Sequence, residues 1–289
     1  MLFFMEAAYH MYFGLARVLE AWYPFAGMDT SAASAQTTMQ DVSPQEAGVI
    51  EAHPKFAVLR AMLQAGVHFG HRTSRWSPNM EPYIHGVKGS VHVINLESTL
   101  EKLEAAEAFV EDLARSGKVL LFVGTKPSAK NIVETEAKRC GVPHVTNRWL
   151  GGTLTNFPVI ASRLKYFLDL EEKKRTGELT KYPKHEQIQF EKLLKDLEVK
   201  FGGIKGLQKP PDALFVVDIT SDHTAVREAK RIHVPVVALV DTNANPLLVT
   251  HPIPANDDAV SSVHFIVQRI TDAVLRGKTA AQAGSGATA

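Results

Sequence analysis

Lys118-Val119-Leu120-Leu121-Phe122-Val123-Gly124 opens on one lysine, stays apolar for five residues and stops at a glycine. No polar residue interrupts it, so neither face of such a segment faces water. That is the character of a buried parallel strand rather than of a half-exposed antiparallel one. Two later runs repeat the pattern, Asp212-Ala213-Leu214-Phe215-Val216-Val217-Asp218 and Val236-Val237-Ala238-Leu239-Val240-Asp241. Between and around them lie helical periods. Residues 97–115 place Leu100, Leu103, Ala106, Phe109, Val110 and Leu113 inward, residues 128–140 end at Gly141, and residues 224–232 and 257–276 supply two more. Residues 142–146 are a further strand candidate and Val91-His92-Val93-Ile94-Asn95-Leu96 is strand-like, while residues 57–65 predict a short helix ending at Gly66. Alternating strands and helices with buried strands predict an α/β fold, a doubly wound parallel sheet covered on both faces.

Residues 157–201 break the rhythm with two charged helical stretches around Gly177 and Pro183. Ile160, Leu164, Phe167 and Leu168 fall on one side of the first, and Phe190, Leu194, Leu197 and Phe201 on one side of the second. Narrow apolar stripes of this kind suit an inserted antiparallel hairpin whose helices bury their seams on each other. The α/β domain is thus expected over 55–156 and 202–278, with the hairpin at 157–201 and a disordered tail at 279–289.

The 289 residues carry a formal net charge of only +1, but unevenly. Residues 1–54 hold Arg17 against six carboxylates, a net of −5, which leaves +6 for the rest. Between Lys55 and Ser90 there are five basic residues against Glu81 alone. A local cationic surface of this kind is the footprint of phosphate binding, although mildly basic domains also arise without function. The single cysteine, Cys140, rules out an internal disulfide and a multi-cysteine zinc site, which points to a reducing compartment. In the first 54 residues, Phe4, Ala8, Met11, Leu15, Val18 and Trp22 share a helical face, followed by a Ser/Ala/Thr/Gln-rich linker. Glu6, Arg17 and Glu20 interrupt this segment too much for a membrane span. It reads as a docking or membrane-surface element, a helix folded back on the domain, or translation begun upstream of the true start.

Arg148-Trp149-Leu150-Gly151-Gly152-Thr153-Leu154-Thr155-Asn156 combines a guanidinium, an indole and two glycines in a connection. Arginine can pair with phosphate, an indole can stack on a base, and Gly-Gly lets backbone N–H groups approach an anion. Those are parts of nucleic-acid recognition; packing at a loop junction is the alternative for Trp149. Val67-His68-Phe69-Gly70-His71 sets two histidines three apart, which could share a helical face. No carboxylate or thiol adjoins them, so metal is not expected there. Arg72, Arg75 and Trp76 extend the cationic and aromatic character into a Pro78-containing loop. Gly124-Thr125-Lys126 lacks the first glycine and spacer of a phosphate loop, and neither Gly-x-Gly-x-x-Gly nor Gly-x-Ser-x-Gly is found at a strand end. Asp218, Asp222, His223 and Asp241 sit at strand ends, where carboxylates either order loops and cap helices or hold Mg²⁺ or act as base. Asn256-Asp257-Asp258 reads as a capping segment.

Ala65-Gly66-Val67-His68-Phe69-Gly70-His71, Trp76-x-Pro78-x-Met80, the Arg148–Asn156 run, Pro211 to Asp218, Val240-Asp241-Thr242-Asn243 and Ile253-Pro254-x-Asn256-Asp257-Asp258-Ala259 together resemble the bacterial small-subunit ribosomal protein of the S-two family. The resemblance runs in order from about residue 58 to 278. It implies a flavodoxin-like parallel sheet with a coiled-coil hairpin, and a structural, non-enzymatic constituent of the small ribosomal subunit without cofactor. Implied partners are small-subunit ribosomal RNA, other small-subunit proteins and the large multi-OB-fold protein that engages messenger RNA, with no membrane, no homo-oligomer and a cytoplasmic, ribosome-bound location. By carry-over, His68, His71, Arg72, Arg75, Trp76, Arg148, Trp149, Thr155 and Asn156 are candidates for RNA contact or for holding the contacting loops. Lys88 joins them as part of the cationic stretch. Asn245-Pro246-Leu247-Leu248 departs from the Asp-Pro-rich loop usual in the family, and residues 1–54 have no counterpart in it. Against the ribosomal reading stand a flavodoxin-like enzyme using Asp218 and Asp241 on a phosphorylated ligand, and an adaptor acting through its hairpin and N-terminal helix.

Overall fold

The computed structural model describes residues 54–285, so the expectations for residues 1–53 lie outside the described residues. The chain divides into two compact units after Ala61. Helix α1 (Pro54–Gln64) spans that division, and the second unit carries both sheets.

A three-stranded antiparallel sheet comes first, built from β1 (Phe69–Arg72), β2 (Ile84–Lys88) and β3 (Val91–Ile94) in the order β1-β3-β2. Gly89 and Ser90, at φ +56° and +66°, join β2 to β3. Positive φ at both central residues gives the turn whose twist matches that of paired strands. Val91–Ile94 is therefore a strand, as its composition predicts, but in this small sheet rather than the parallel one. The histidine pair is not helical: His71 lies in β1 and His68 just before it.

The chain then enters the α/β body through α2 (Leu96–Arg115), capped by Asn95, whose side-chain oxygen accepts the Glu97 N–H at 2.9 Å. β4 (Leu120–Val123), α3 (Pro127–Cys140) and β5 (His144–Val145) follow. Gly141 ends α3 at φ +62°, the left-handed position expected of it. After the insertion come β6 (Ala213–Val217), α6 (His223–Arg231), β7 (Val236–Val240), β8 (His251–Pro254) and α7 (Val260–Ser285). The five strands β5-β4-β6-β7-β8 form one parallel sheet, which bears out the α/β expectation. Along each apolar strand alternate residues face opposite ways. Leu121, Val123, Leu214, Val216, Ala238 and Val240 share one buried cluster with Ala225, Val226 and Ala229 of α6. Phe122 and Phe215 turn to the other face, their rings 5.1 Å apart. There α2 and α3 pack on α7, and α2 on β8.

The insertion holds two helices, α4 (Phe157–Arg175) and α5 (Lys184–Phe201). Ile160, Leu164, Phe167 and Leu170 of α4 and Leu194, Leu197 and Phe201 of α5 are buried in the same cluster. Leu168, expected on the inner stripe, is exposed, and Leu170 takes its place. α7 runs on to Ser285, past residue 279 where a disordered tail was expected; residues 286–289 lie outside the described residues. Among the described residues no helix is long and apolar enough to cross a membrane.

Candidate nucleic-acid interface

All five parallel strands run the same way, so the segments after them gather at one edge of the sheet. Thr125–Lys126, Asn147–Asn156, Asp218–Asp222, Asp241–Asn245 and Asn256–Asp258 therefore become neighbours, although up to 133 positions separate them in the chain. The small sheet is fastened to this edge through Thr242. Its hydroxyl accepts the His71 N–H at 2.8 Å and its carbonyl accepts the Ser77 N–H at 2.7 Å. Gly70 is required for that approach, because a Cβ there would lie 2.6 Å from the Thr242 methyl.

From β4 to β8 the edge is acidic and closed on itself. Lys126 Nζ sits 2.6 Å from both Asp257 Oδ1 and Asp258 Oδ1 and 3.5 Å from Asp218 Oδ2. His71 Nδ1 lies 3.1 Å from Asp241 Oδ2, and its Nε2 lies 3.4 Å from Asp258 Oδ2. The Asp241 hydrogen bond holds the His71 imidazole above its ordinary pKa despite partial burial. Burial, with Asp218 and Asp241 nearby, pushes the Asp257 carboxyl up to about 7 although Lys126 opposes the rise. Ligand atoms of His71, Asp257 and Asp258 lie within 4.8 Å of one another and could hold a small cation; the Lys126 ammonium supplies the positive charge as the site stands.

Asp218 has a left-handed backbone, φ +74°, which aspartate tolerates. Its carboxylate accepts Thr220 N–H at 2.8 Å, Ser221 N–H at 3.1 Å and the Ser221 hydroxyl at 2.7 Å. Asp222 does not cap α6 with its side chain. It crosses to β4 instead, accepting the Thr125 N–H at 3.2 Å and the Thr125 hydroxyl at 2.9 Å. The crevice between β4 and β6, where a sheet of this kind reverses strand order and usually binds ligands, is thus filled by an internal carboxylate. Asn256 does not cap α7 directly; its oxygen accepts Asp258 N–H at 2.9 Å and Ala259 N–H at 3.2 Å, which orders the turn that precedes the helix.

The Arg148–Asn156 run makes the anion-binding nest that its glycines suggest, but the anion is the protein's own Glu228. Glu228 Oε1 accepts Trp149 Nε1–H at 3.1 Å and Gly152 N–H at 2.8 Å. Its Oε2 accepts Leu154 N–H at 3.0 Å, Thr155 N–H at 3.2 Å and the Thr155 hydroxyl at 3.3 Å. Gly152 adopts φ +89° to turn its N–H inward. Burial alone would raise the Glu228 carboxyl, yet these donors outweigh it and hold it below the ordinary range. Sequence reasoning passed over Glu228. A carboxylate in a helix of alternating charge carries no local signal, and its partners lie 73 to 79 residues away.

The candidate residues therefore separate. Trp149, 7% exposed, is a packing anchor and presents no stacking face to solvent. His68, 5% exposed, is likewise internal; burial, aided by Lys88, lowers its pKa to about 4. Trp76 is half-buried with its ring 5.0 Å from His92. Thr155 is exposed, but its hydroxyl is committed to Glu228. Lys88 and Asn156 are exposed, and Arg72, Arg75 and Arg148 are exposed with no ion pair among the described residues. Arg72 and Arg75 line an open cleft of about 590 Å³ beside His71 and Asp258. Their segment is bonded to Thr242 after β7, whereas Arg148 follows β5, and those two strands lie three strand spacings apart, roughly 14 Å. The structure thus brings two cationic points to one edge instead of a single patch, Arg72 and Arg75 beside the acidic cluster and Arg148 apart from them after β5.

Comparison with known proteins identifies the family. Residues 62–277 match the family described as Ribosomal protein S2. The small ribosomal subunit protein uS2 of Dictyoglomus thermophilum is 47% identical over 221 residues, 76% of this chain and 90% of the relative. Its counterpart in Dictyoglomus turgidum is 46% identical over the same shares, and that of Coprothermobacter proteolyticus 45% over 78% and 84%. The aligned length covers both sheets and the helical insertion, and the chain belongs to the ribosomal protein S2 family.

Proposed function

We propose that this chain is a structural, non-enzymatic constituent of the small ribosomal subunit that binds ribosomal RNA and neighbouring ribosomal proteins in support of translation. Family membership supports that reading, and one observation carries its site. At a sheet edge whose acidic groups are internally satisfied, the exposed guanidiniums of Arg72, Arg75 and Arg148 have no ion pair among the described residues. Side chains of that kind are free to pair with backbone phosphates. Lys88 and Asn156 extend the contact, Trp76 and His71 shape the first cationic point, and His68, Trp149 and Thr155 hold the loops. The alternative of an enzyme for phosphorylated ligands has the opposite geometry, since the Thr125 N–H already serves Asp222.

The finer architecture is part of the proposal. Strand order β5-β4-β6-β7-β8 is 2-1-3-4-5 in chain order, the flavodoxin-like doubly wound arrangement. The shared buried seam of α4 and α5 supports a coiled-coil hairpin, and so does Lys205, which reaches Glu171 of α4 at 3.0 Å and Glu198 of α5 at 2.6 Å. Tyr166, Ile188 and Val199 are exposed on that hairpin and suit a docking arm for other ribosomal proteins, the multi-OB-fold messenger-binding protein among them. The test is sedimentation of a cell extract: the chain should travel with small subunits, and a free pool with none on subunits would overturn the proposal.

A further inference from the structure

Glu228 is 8% exposed and its carboxylate has no cationic partner among the described residues. Five donors from one nine-residue loop satisfy it: the Trp149 indole, three backbone N–H groups and one hydroxyl. Two carboxylate oxygens offer about four lone-pair positions, so the loop saturates the group and the group in turn dictates the loop. Among the described residues no backbone carbonyl accepts these N–H groups; Gly152, Leu154 and Thr155 all direct theirs to Glu228. The loop's termini carry Arg148 and Asn156, which are exposed and uninvolved with the carboxylate. The loop is pinned to α6 by an internal anion, and it carries an exposed cation at its start.

We infer that Glu228 is the positioning residue of the RNA-facing loop: an internal carboxylate that occupies the loop's own anion nest, excludes external phosphate from it, and fixes where Arg148 and Asn156 stand. This rests on the RNA-binding reading above and goes beyond it, because Glu228 itself touches no RNA. Truncation to Ala leaves five inward donors without an acceptor, and Gln replaces one acceptor oxygen by an NH2 donor, so in either case the loop must rearrange.

The test uses the full-length chain with Glu228→Ala and Glu228→Gln, a fragment of small-subunit ribosomal RNA, and amide exchange read at Gly152, Leu154 and Thr155. Both variants should exchange faster at those three amides and bind the RNA on the order of tenfold more weakly, the loss of one well-placed charge-assisted contact. In Glu228→Ala the vacated space can take a small carboxylate. Acetate should therefore restore both amide protection and affinity, whereas chloride at equal ionic strength should not; a side chain that only filled space would show no such selectivity. The inference is overturned if the variants bind RNA like the wild type, if the three amides are unaffected, or if acetate does no more than chloride. Should Glu228→Ala not fold, Thr155→Val removes a single donor and must still accelerate exchange at Leu154 and Thr155. Failure of the wild-type chain to bind the RNA at all would instead sink the functional reading.

Discussion

Replacing Arg72, Arg75 and Arg148 together with alanine should change how RNA binding responds to salt, more than it changes the fold. Each side chain is exposed and none has an ion pair among the described residues, so each can displace a counterion from a phosphate. Every such contact contributes about 0.7 to 0.9 to the slope of log affinity against log salt. Losing three should flatten the slope by roughly 2 to 3. Over a fourfold rise in salt, the wild type should then lose roughly 20- to 40-fold more affinity than the variant. Arg115 supplies the control. It is similarly exposed but bound to Glu111 at 3.0 Å and Asp112 at 3.1 Å, and Arg115→Ala should leave the slope alone. Fluorescence anisotropy with labelled small-subunit ribosomal RNA at a series of salt concentrations measures all three proteins, and thermal unfolding checks that each is folded. An unchanged slope in the triple variant, or an equal loss from Arg115→Ala, would refute the assignment of these guanidiniums to phosphate.

Other consequences follow from the packing and the charge network. At Gly277 of α7 an added methyl would run into the Glu111 carbonyl of α2 and lie 2.8 Å from the Ala114 Cβ; Gly277→Ala should cost about 1–2 kcal/mol by urea unfolding, overpacking outweighing the gain in helix propensity. Lys126→Met leaves the buried Asp218 and Asp257 without their cation and should cost about 3 kcal/mol. Adding Asp257→Asn should recover part of that loss, whereas simple additivity in the double-mutant cycle would count against a shared network. For His68 the folded pKa of about 4 lies below the ordinary 6.5, so the unfolded chain binds the extra proton first. Stability should fall as pH drops from 6.5 towards 4, by up to about 3 kcal/mol, and His68→Leu should remove that portion of the acid sensitivity in unfolding melts. Asn95→Ala removes the cap of α2 and should lower stability by about 1 kcal/mol in the same assay.

Much of the fold is legible in short stretches because burial on both faces leaves a composition that water would not tolerate. The runs at 118–124, 212–218 and 236–241 are such stretches, and each contains a strand of the parallel sheet. β8 escaped notice because His251-Pro252-Ile253-Pro254 carries two residues that lack a backbone N–H. It is tolerated since β8 lies at the sheet edge and pairs on one side only. β1 was likewise hidden: four residues containing glycine, histidine and arginine have no apolar signature, and pairing with β3 makes them a strand.

The family motifs, the parallel strands and the helical insertion are determined by local sequence, since apolar period and turn residues act over a few positions. Which candidate residues meet solvent is a tertiary matter. Arg148 and Trp149 are adjacent in the chain, yet one is exposed and the other is bonded to a carboxylate 79 residues away. The Gly-Gly pair promises a seat for an anion in sequence alone. Only the packing of α6 against the sheet decides that Glu228 fills it, because a hydrogen bond depends on distance in space and not along the chain.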